Sequence, residues 1–170
     1  VYPARNIVQN LADLKAQVAA NATGRRELLR VADHYSLNVV EAYMGHVQDN
    51  AEECVRRVID RMSDGRYSYQ MDHGAVIEVA INVDQVNRSA TIDFTDTSDQ
   101  HTGNYNAPRS ICRAVVLYVF RTLVGSDIPL NEGCMKPLKV IIPEGSMLNP
   151  VYPAAVIAGN TEVSQATCNA

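Results

Sequence analysis

No apolar run in this 170-residue chain approaches the ~20 residues that a membrane-spanning helix requires. Nor does its first stretch set a positive segment before an apolar one, the pattern of a secretory leader, so the sequence reads as cytoplasmic. A basic surplus is also missing: 15 Lys and Arg stand against 19 Asp and Glu, a formal charge of -4. That balance gives no electrostatic reason to bind nucleic acid or an anionic membrane, and Arg25-Arg26 and Arg56-Arg57 are isolated pairs. The four cysteines, Cys54, Cys112, Cys134 and Cys168, form no CxxC pair, which excludes a zinc ribbon or a dense disulfide framework and favours buried thiols. There is no low-complexity linker, internal repeat, nucleotide-binding loop or Ser-His-Asp signature. With 46% apolar and 20% charged residues, what remains is an ordinary globular composition long enough to bury a core.

The first third has helical periodicity. Asn6 with Gln9 resembles a capping box, and Ile7, Leu11, Leu14 and Val18 mark one face. Asn21-Ala-Thr-Gly24 predicts a break, followed by a shorter helix over residues 25–35. A long helix over 37–62 carries Val40, Met44, Val47, Ala51, Cys54, Val58 and Met62 at steps of four and three, a seam suited to subunit contacts. The first helix and this one are expected to form a hairpin. After Asp64-Gly65 the period changes to two: Tyr67, Tyr69 and Met71, then Ile77, Val79, Ile81 and Val83, then Ala90, Ile92 and Phe94 predict an antiparallel meander. A helix is expected from Pro108 to about Gly125, with Asn106 as its cap, and a further strand over Leu138 to Ile142. The fold class is therefore α+β, with a helical segment at 1–63 and a mixed segment at 64–170. The start of a helix after Asn160 ends within a few residues, so the sequence reads as part of a longer polypeptide.

The densest run of side-chain oxygens and amides lies between the third strand and the Pro108 helix. Here Asp93 and His101 are candidate catalytic groups, and Thr95, Asp96, Ser98, Asn104 and Asn106 are candidate substrate contacts. Asn160, Glu162 and Gln165 form a second polar cluster at the last helix start. Each has a plainer reading as a turn or cap residue. His46 reads as a polar helix-face histidine, His34 as a cation near a helix end and His73 as a turn residue, so no metal ligand set is assigned.

Several blocks occur in one order: Asn10-Leu-Ala-Asp-Leu-Lys-Ala-Gln-Val-Ala-Ala-Asn21, Tyr43-Met-Gly-His-Val-Gln-Asp-Asn-Ala-Glu52, Ala90-Thr-Ile-Asp-Phe-Thr95 and Gly103-Asn-Tyr-Asn-Ala-Pro108. Asp127-Ile-Pro-Leu-Asn-Glu-Gly-Cys134, Pro143-Glu-Gly-Ser-Met-Leu-Asn-Pro150 and Ala158-Gly-Asn-Thr-Glu-Val-Ser-Gln165 continue the series. In these blocks the chain resembles the hydantoinase B/5-oxoprolinase family over nearly its whole length. The resemblance implies an ATP-dependent system in which a hydantoinase A-like ATPase subunit or domain, using ATP and Mg, phosphorylates a cyclic amide. The B component then opens the lactam or hydantoin ring with water. It also implies a divalent metal held by aspartate and histidine ligands. No segment here matches that ligand motif, so those ligands are expected outside this stretch, and the isolated chain is expected to be inactive. Acetone carboxylase-like subunits share the architecture and give a second reading. A third is a non-catalytic assembly module, and the enzyme is expected to be a homo-oligomer acting on a small cyclic amide.

Overall fold

The computed structural model describes residues 5–170. The chain is α+β: an N-terminal hairpin of two long helices leads into a four-stranded, mainly antiparallel sheet with a covering helix. It divides into two compact units, residues 1–46 and 47–170, at a point within the second helix.

In the first unit, helix α1 spans Ile7–Tyr35. The side chain of Asn6 accepts from the Gln9 amide at 3.1 Å, the cap expected from the sequence. The break expected at Asn21 to Gly24 does not occur, and α1 runs through it without interruption. One glycine costs about 1 kcal/mol relative to alanine, and the stretch contains no proline to remove a backbone donor. Ser36 ends α1 with φ 72°, and α2 (Leu37–Ile59) begins at the next residue. No residue of α1 is buried.

The second unit is built on the C-terminal half of α2, where Ala51, Val55 and Ile59 recur every four residues and are buried. The seam read along α2 therefore divides. Cys54, Val58 and Met62 pack against the core, whereas Met44 and Val47 are exposed, so only the N-terminal part is free for subunit contacts. Strands β1 (Gly65–Gln70), β2 (Val76–Asp84) and β3 (Ser89–Asp93) form the expected meander, with Tyr67 opposite Val79 and Ile81 opposite Ile92. The β2–β3 turn is closed by Asp84, whose carboxylate accepts from the Val86 and Asn87 amides and is held below its usual pKa chiefly by its bonds to Asn87.

Strand β4 (Leu138–Ile141) pairs with β3 in parallel, Ala90 against Leu138 and Asp93 against Ile141. A parallel pair cannot be joined by a tight turn. The intervening chain supplies helix α3 (Arg109–Leu123), which buries Cys112, Val116 and Phe120, and a 3-10 turn at Glu132–Met135. Helix α4 (Glu162–Asn169) contributes Val163 and Ala166 to the same core. Gly133 in the 3-10 turn lies directly on α2: a Cβ there would sit 2.1 Å from the Gln48 carbonyl oxygen.

Two arginines fasten α2 to the β2–β3 turn. Arg56 bonds Glu52 and donates to the carbonyls of Asn87 (2.9 Å) and Arg88 (2.8 Å). Arg88 binds Glu53 at 3.0 Å and Asp60 at 2.8 Å. These bonds lower the Asp60 and Glu53 pKa values, in both cases chiefly through the Arg88 guanidinium, and raise that of Arg88.

Gly133→Ala forces a Cβ into backbone and should destabilise by about 3 kcal/mol in chemical denaturation; Gly125→Ala, with nothing within 4 Å of its added carbon, should be near neutral. The ordinary carboxyl values of Glu53 and Asp60 are 4.5 and 3.8, and their folded values lie lower. Their contribution is therefore complete above about pH 4.5 and is lost as pH falls through the depressed folded values. Arg88→Met should flatten this acid limb in a pH series of melting curves. An unchanged pH dependence would contradict the assignment.

Candidate functional site

The polar segment after β3 separates into two parts with different tasks. In the first part, local bonds use most of the candidate side chains. Asp93 accepts from the Thr95 amide at 2.9 Å and from its hydroxyl, closing a turn. Asp96 pairs with Arg66, which also reaches Glu78 at 3.4 Å. Buried Thr97 donates its hydroxyl to the Glu78 carbonyl and accepts from the Glu78 amide. Ser98 accepts from the Val76 amide at 2.9 Å. Side chains at 97 and 98, together with the Ser98 amide on the Val76 carbonyl (2.9 Å), thus extend the contact with β2 beyond the end of β3.

The second part is organised by Asn106, which is fully buried. Its Oδ1 accepts from the His101 amide at 2.7 Å. Its Nδ2 donates to the carbonyls of His101 (2.9 Å) and Ala155 (2.9 Å) and lies 3.2 Å from that of Gly103. The expected role of Asn106 as the cap of α3 is therefore corrected: the cap position is Pro108, with no side-chain bond, and the asparagine amide is used by the loop. The physical reason is satisfiability, because a fully buried amide needs partners on both its oxygen and its nitrogen, and a cap would engage only the oxygen.

His101 is fixed from two sides. Its Nδ1 accepts from the Gly103 amide at 2.9 Å, which places the proton of the neutral ring on Nε2. A side chain at Gly103 would meet the imidazole at 3.0 Å. Around this ring the structure gathers two groups from outside the expected set. His73, from the β1–β2 turn, has its ring centroid 4.7 Å from His101, and Tyr105 packs edge-on to His73 at 4.3 Å. The sequence signal for His73 was only an Asp-His-Gly turn, and nothing in its spacing indicated that the turn meets a loop nearly thirty residues later.

The same loop is joined to the start of α4. The Ala158 amide donates to the Asn104 carbonyl at 3.1 Å, and a Cβ on buried Gly159 would lie 3.0 Å from the Asn106 carbonyl oxygen. The segments bearing His101, Asn104 and Asn106 and those bearing Asn160, Glu162 and Gln165 are thus bonded together, although Asp93, Thr95, Asp96 and Ser98 serve the sheet end. Asn160, Glu162 and Gln165 are exposed, and α4 has no side-chain cap bond. Thr95, Asp96, Asp99, Thr102, Asn104 and Tyr105 are exposed, as a loop with this many polar groups should be.

Among the described residues no three His, Cys, Asp or Glu side chains converge as metal ligands. Among those same residues no helix is long and apolar enough to cross a membrane. A groove of about 430 Å³ between the ends of α2 and α3 is lined by Cys54, Val58, Met62, Leu123 and Val124, with Arg57 and Arg61, and includes none of the candidate site residues. Cys112 is buried, which pushes its thiol pKa up to about 12 and leaves it unreactive.

Replacing Asn106 tests the loop directly. Asn106→Ala should cost about 2–4 kcal/mol because it strips partners from buried backbone groups. Asn106→Asp has the same size but no N–H donors, so it should be at least as destabilising at neutral pH. Urea denaturation checks both, and an aspartate variant as stable as the parent would refute the donor role.

Comparison with known proteins places this architecture. The family model for Hydantoinase B/oxoprolinase matches residues 2–170. A 5-oxoprolinase of Dictyostelium discoideum is 40% identical over 95% of this chain, and that of Saccharomyces cerevisiae 38% over 95%; the chain spans only 13% of the length of each. The B component of a putative D-/L-hydantoinase of Pseudomonas sp. (strain NS671) is 30% identical over 86% of the chain, a match that covers 28% of that protein. The crystal structure of the ATP-dependent caprolactamase from Pseudomonas jessenii superposes with a TM-score of 0.73 at 23% identity, over 96% of this chain and 29% of that one, and so shares the fold. A match from residue 2 to residue 170, together with relatives near 40% identity, means that the chain belongs to the hydantoinase B/oxoprolinase family.

Proposed function

We propose that this chain is a segment of the B component of an ATP-dependent cyclic amide hydrolase, and that the His101 loop forms part of its ring-opening site. The observation that carries this reading is the 40% identity to a 5-oxoprolinase across 95% of the chain. The caprolactamase and the putative hydantoinase are named for cyclic amide substrates, which supports the substrate class.

The chemistry explains why such a system needs two parts. An unstrained amide is a poor electrophile, and phosphoryl transfer from ATP to its oxygen supplies a better leaving group before water attacks. In this reading a hydantoinase A-like partner, with ATP and Mg, makes the activated amide. On the B component water then adds to the activated carbon, the ring C–N bond breaks as its nitrogen takes up a proton, and the resulting acyl phosphate is hydrolysed to the carboxylate and inorganic phosphate. The histidines of this segment lie on separate elements apart from the His73–His101 pair, and no ligand set converges among the described residues, so no step here is routed through a metal.

The loop residues have separable tasks. Asn106 positions the loop from below, without touching substrate. His101 presents an Nε2–H donor, fixed by the Gly103 bond, on a half-buried ring. A donor held in place before substrate arrives stabilises developing negative charge better than one that must first be oriented. His73 and Tyr105 flank it with further hydrogen-bonding groups.

The test uses the full-length protein with its ATPase partner and a panel of 5-oxoproline, hydantoin and caprolactam, scored by ADP release and by ring-opened product. Turnover of at least one ring is expected. His101→Gln should lower kcat/KM by about 10-fold or more, in the range for loss of a positioned hydrogen-bonding or acid–base group, while the melting temperature stays close to that of the parent. Full activity in this variant would move the site away from the loop.

A further inference from the structure

His73 and His101 occupy opposed positions on two chain segments that leave the sheet together. Beyond the end of β3 the chain still lies against β2: the Thr97 hydroxyl bonds the Glu78 backbone, and the Ser98 amide and hydroxyl bond the Val76 carbonyl and amide, each at 2.9 Å. His73 lies three residues before Val76 and His101 three residues after Ser98, so continuing this antiparallel opposition brings the two imidazoles together. Their backbones are fixed independently. The β1–β2 turn is closed by the Gly74 amide on the Met71 carbonyl and by the Met71 amide on the Ala75 carbonyl, both at 2.8 Å, with Gly74 at φ 90°. The His101 amide is held by Asn106. Tyr105 packs edge-on to both rings, 4.3 Å from His73 and 5.7 Å from His101.

Hydrogen bonding separates the two rings chemically. A neutral imidazole has one N–H donor and one nitrogen with a lone pair. The lone pair of His101 is engaged by the Gly103 amide, which leaves that ring as a donor alone. The His73 ring, by contrast, is exposed and is held among the described residues by ring packing rather than by a hydrogen bond. Its lone pair is free. Of the pair, His73 is therefore the one able to accept a proton and give it up again.

We infer that His73 is the proton carrier of ring opening, with His101 as the fixed donor beside it, an assignment that rests on the reading of the His101 loop as part of that site. As the water oxygen bonds to the activated carbon, one water proton passes to the free nitrogen of His73. The imidazolium hands it to the ring nitrogen, which has gained the π pair of the C=N bond. Collapse of the adduct repeats the exchange. The hydroxyl proton passes through His73 to the same nitrogen as the C–N electron pair goes to that nitrogen and the carbonyl of the acyl phosphate forms. Both water protons end on the amine, and His73 returns to its starting state.

The test uses the full-length protein with its ATPase partner and whichever ring of the substrate panel it opens. His73→Ala should lower kcat by about 100-fold, the lower end of the range for general acid–base groups, with KM close to that of the parent. The turn is closed by backbone bonds and the side chain is exposed, so the melting temperature should stay unchanged. Added imidazole should restore turnover in His73→Ala in proportion to its concentration and leave the parent and His101→Gln unaffected. His73→Gln, which keeps hydrogen-bonding capacity but carries no titrating nitrogen, should be as impaired as alanine. Parent-like kcat in either His73 variant, with His101→Gln impaired, would overturn this assignment and leave the site where it is. Full activity in the variants of both histidines would overturn the site as well. A fall in kcat that imidazole does not relieve would make His73 structural and also overturn the carrier role.

Discussion

The parallel pairing of β3 with β4 is the constraint from which most of this structure follows. Antiparallel neighbours are joined by a few residues, and the first three strands use that solution. The fourth strand cannot. The chain must leave the end of β3, cross the core and return to start β4 at the same end as β3 began. Most of what is chemically distinctive in the second unit lies on that excursion: the oxygen-rich turn, the His101 loop, α3 and the 3-10 turn seated on α2. The loop is displayed at the sheet end because the crossover begins there.

What the sequence revealed depended on whether the signal was local. The meander was legible because alternation of Ile77, Val79, Ala90 and Ile92 is a period that a single strand carries within itself, and Asp84 closes its own turn. The orientation of β4 was not legible, since four residues have the same alternation in either direction. In α1, Asn21 to Gly24 has turn composition, but a helix of 29 residues has enough propagation on both sides to absorb it. Asn106 was expected as a cap and as a candidate substrate contact. Its place before Pro108 fits a cap, and only its burial against Ala155, nearly fifty residues away, identifies the partners it satisfies. His73 was invisible as a site neighbour for the same reason: a turn residue gives no hint of which distant loop it meets.

The arginine contacts on α2 show how one helix can serve two purposes. Its last three turns are held to the sheet by the Ala51, Val55 and Ile59 stripe and by the Arg56 and Arg88 bonds to the β2–β3 turn. Its first turns carry Tyr43 and Met44 on the surface. The change occurs within a continuous helix, so hydrogen bonding along the backbone is uniform while burial is not. Sequence periodicity alone describes such a helix as one seam, because an exposed and a packed apolar residue have the same spacing.

Three links tie the His101 loop to the start of α4: the Asn106 amide on Ala155, the Ala158 amide on Asn104, and the close seat of Gly159 on Ala107. This has a consequence for how the two segments tolerate variation in length. A residue inserted between 101 and 107 would move all three links out of phase, and the same holds between 155 and 159. The connection from the loop through α3 and β4, by contrast, is fastened by side chains to a core that can accommodate changes in its surface turns. Among related chains, gains and losses of residues should therefore collect around residues 125–130 and be excluded from both linked segments, so that the two behave as one inherited unit despite their separation along the chain.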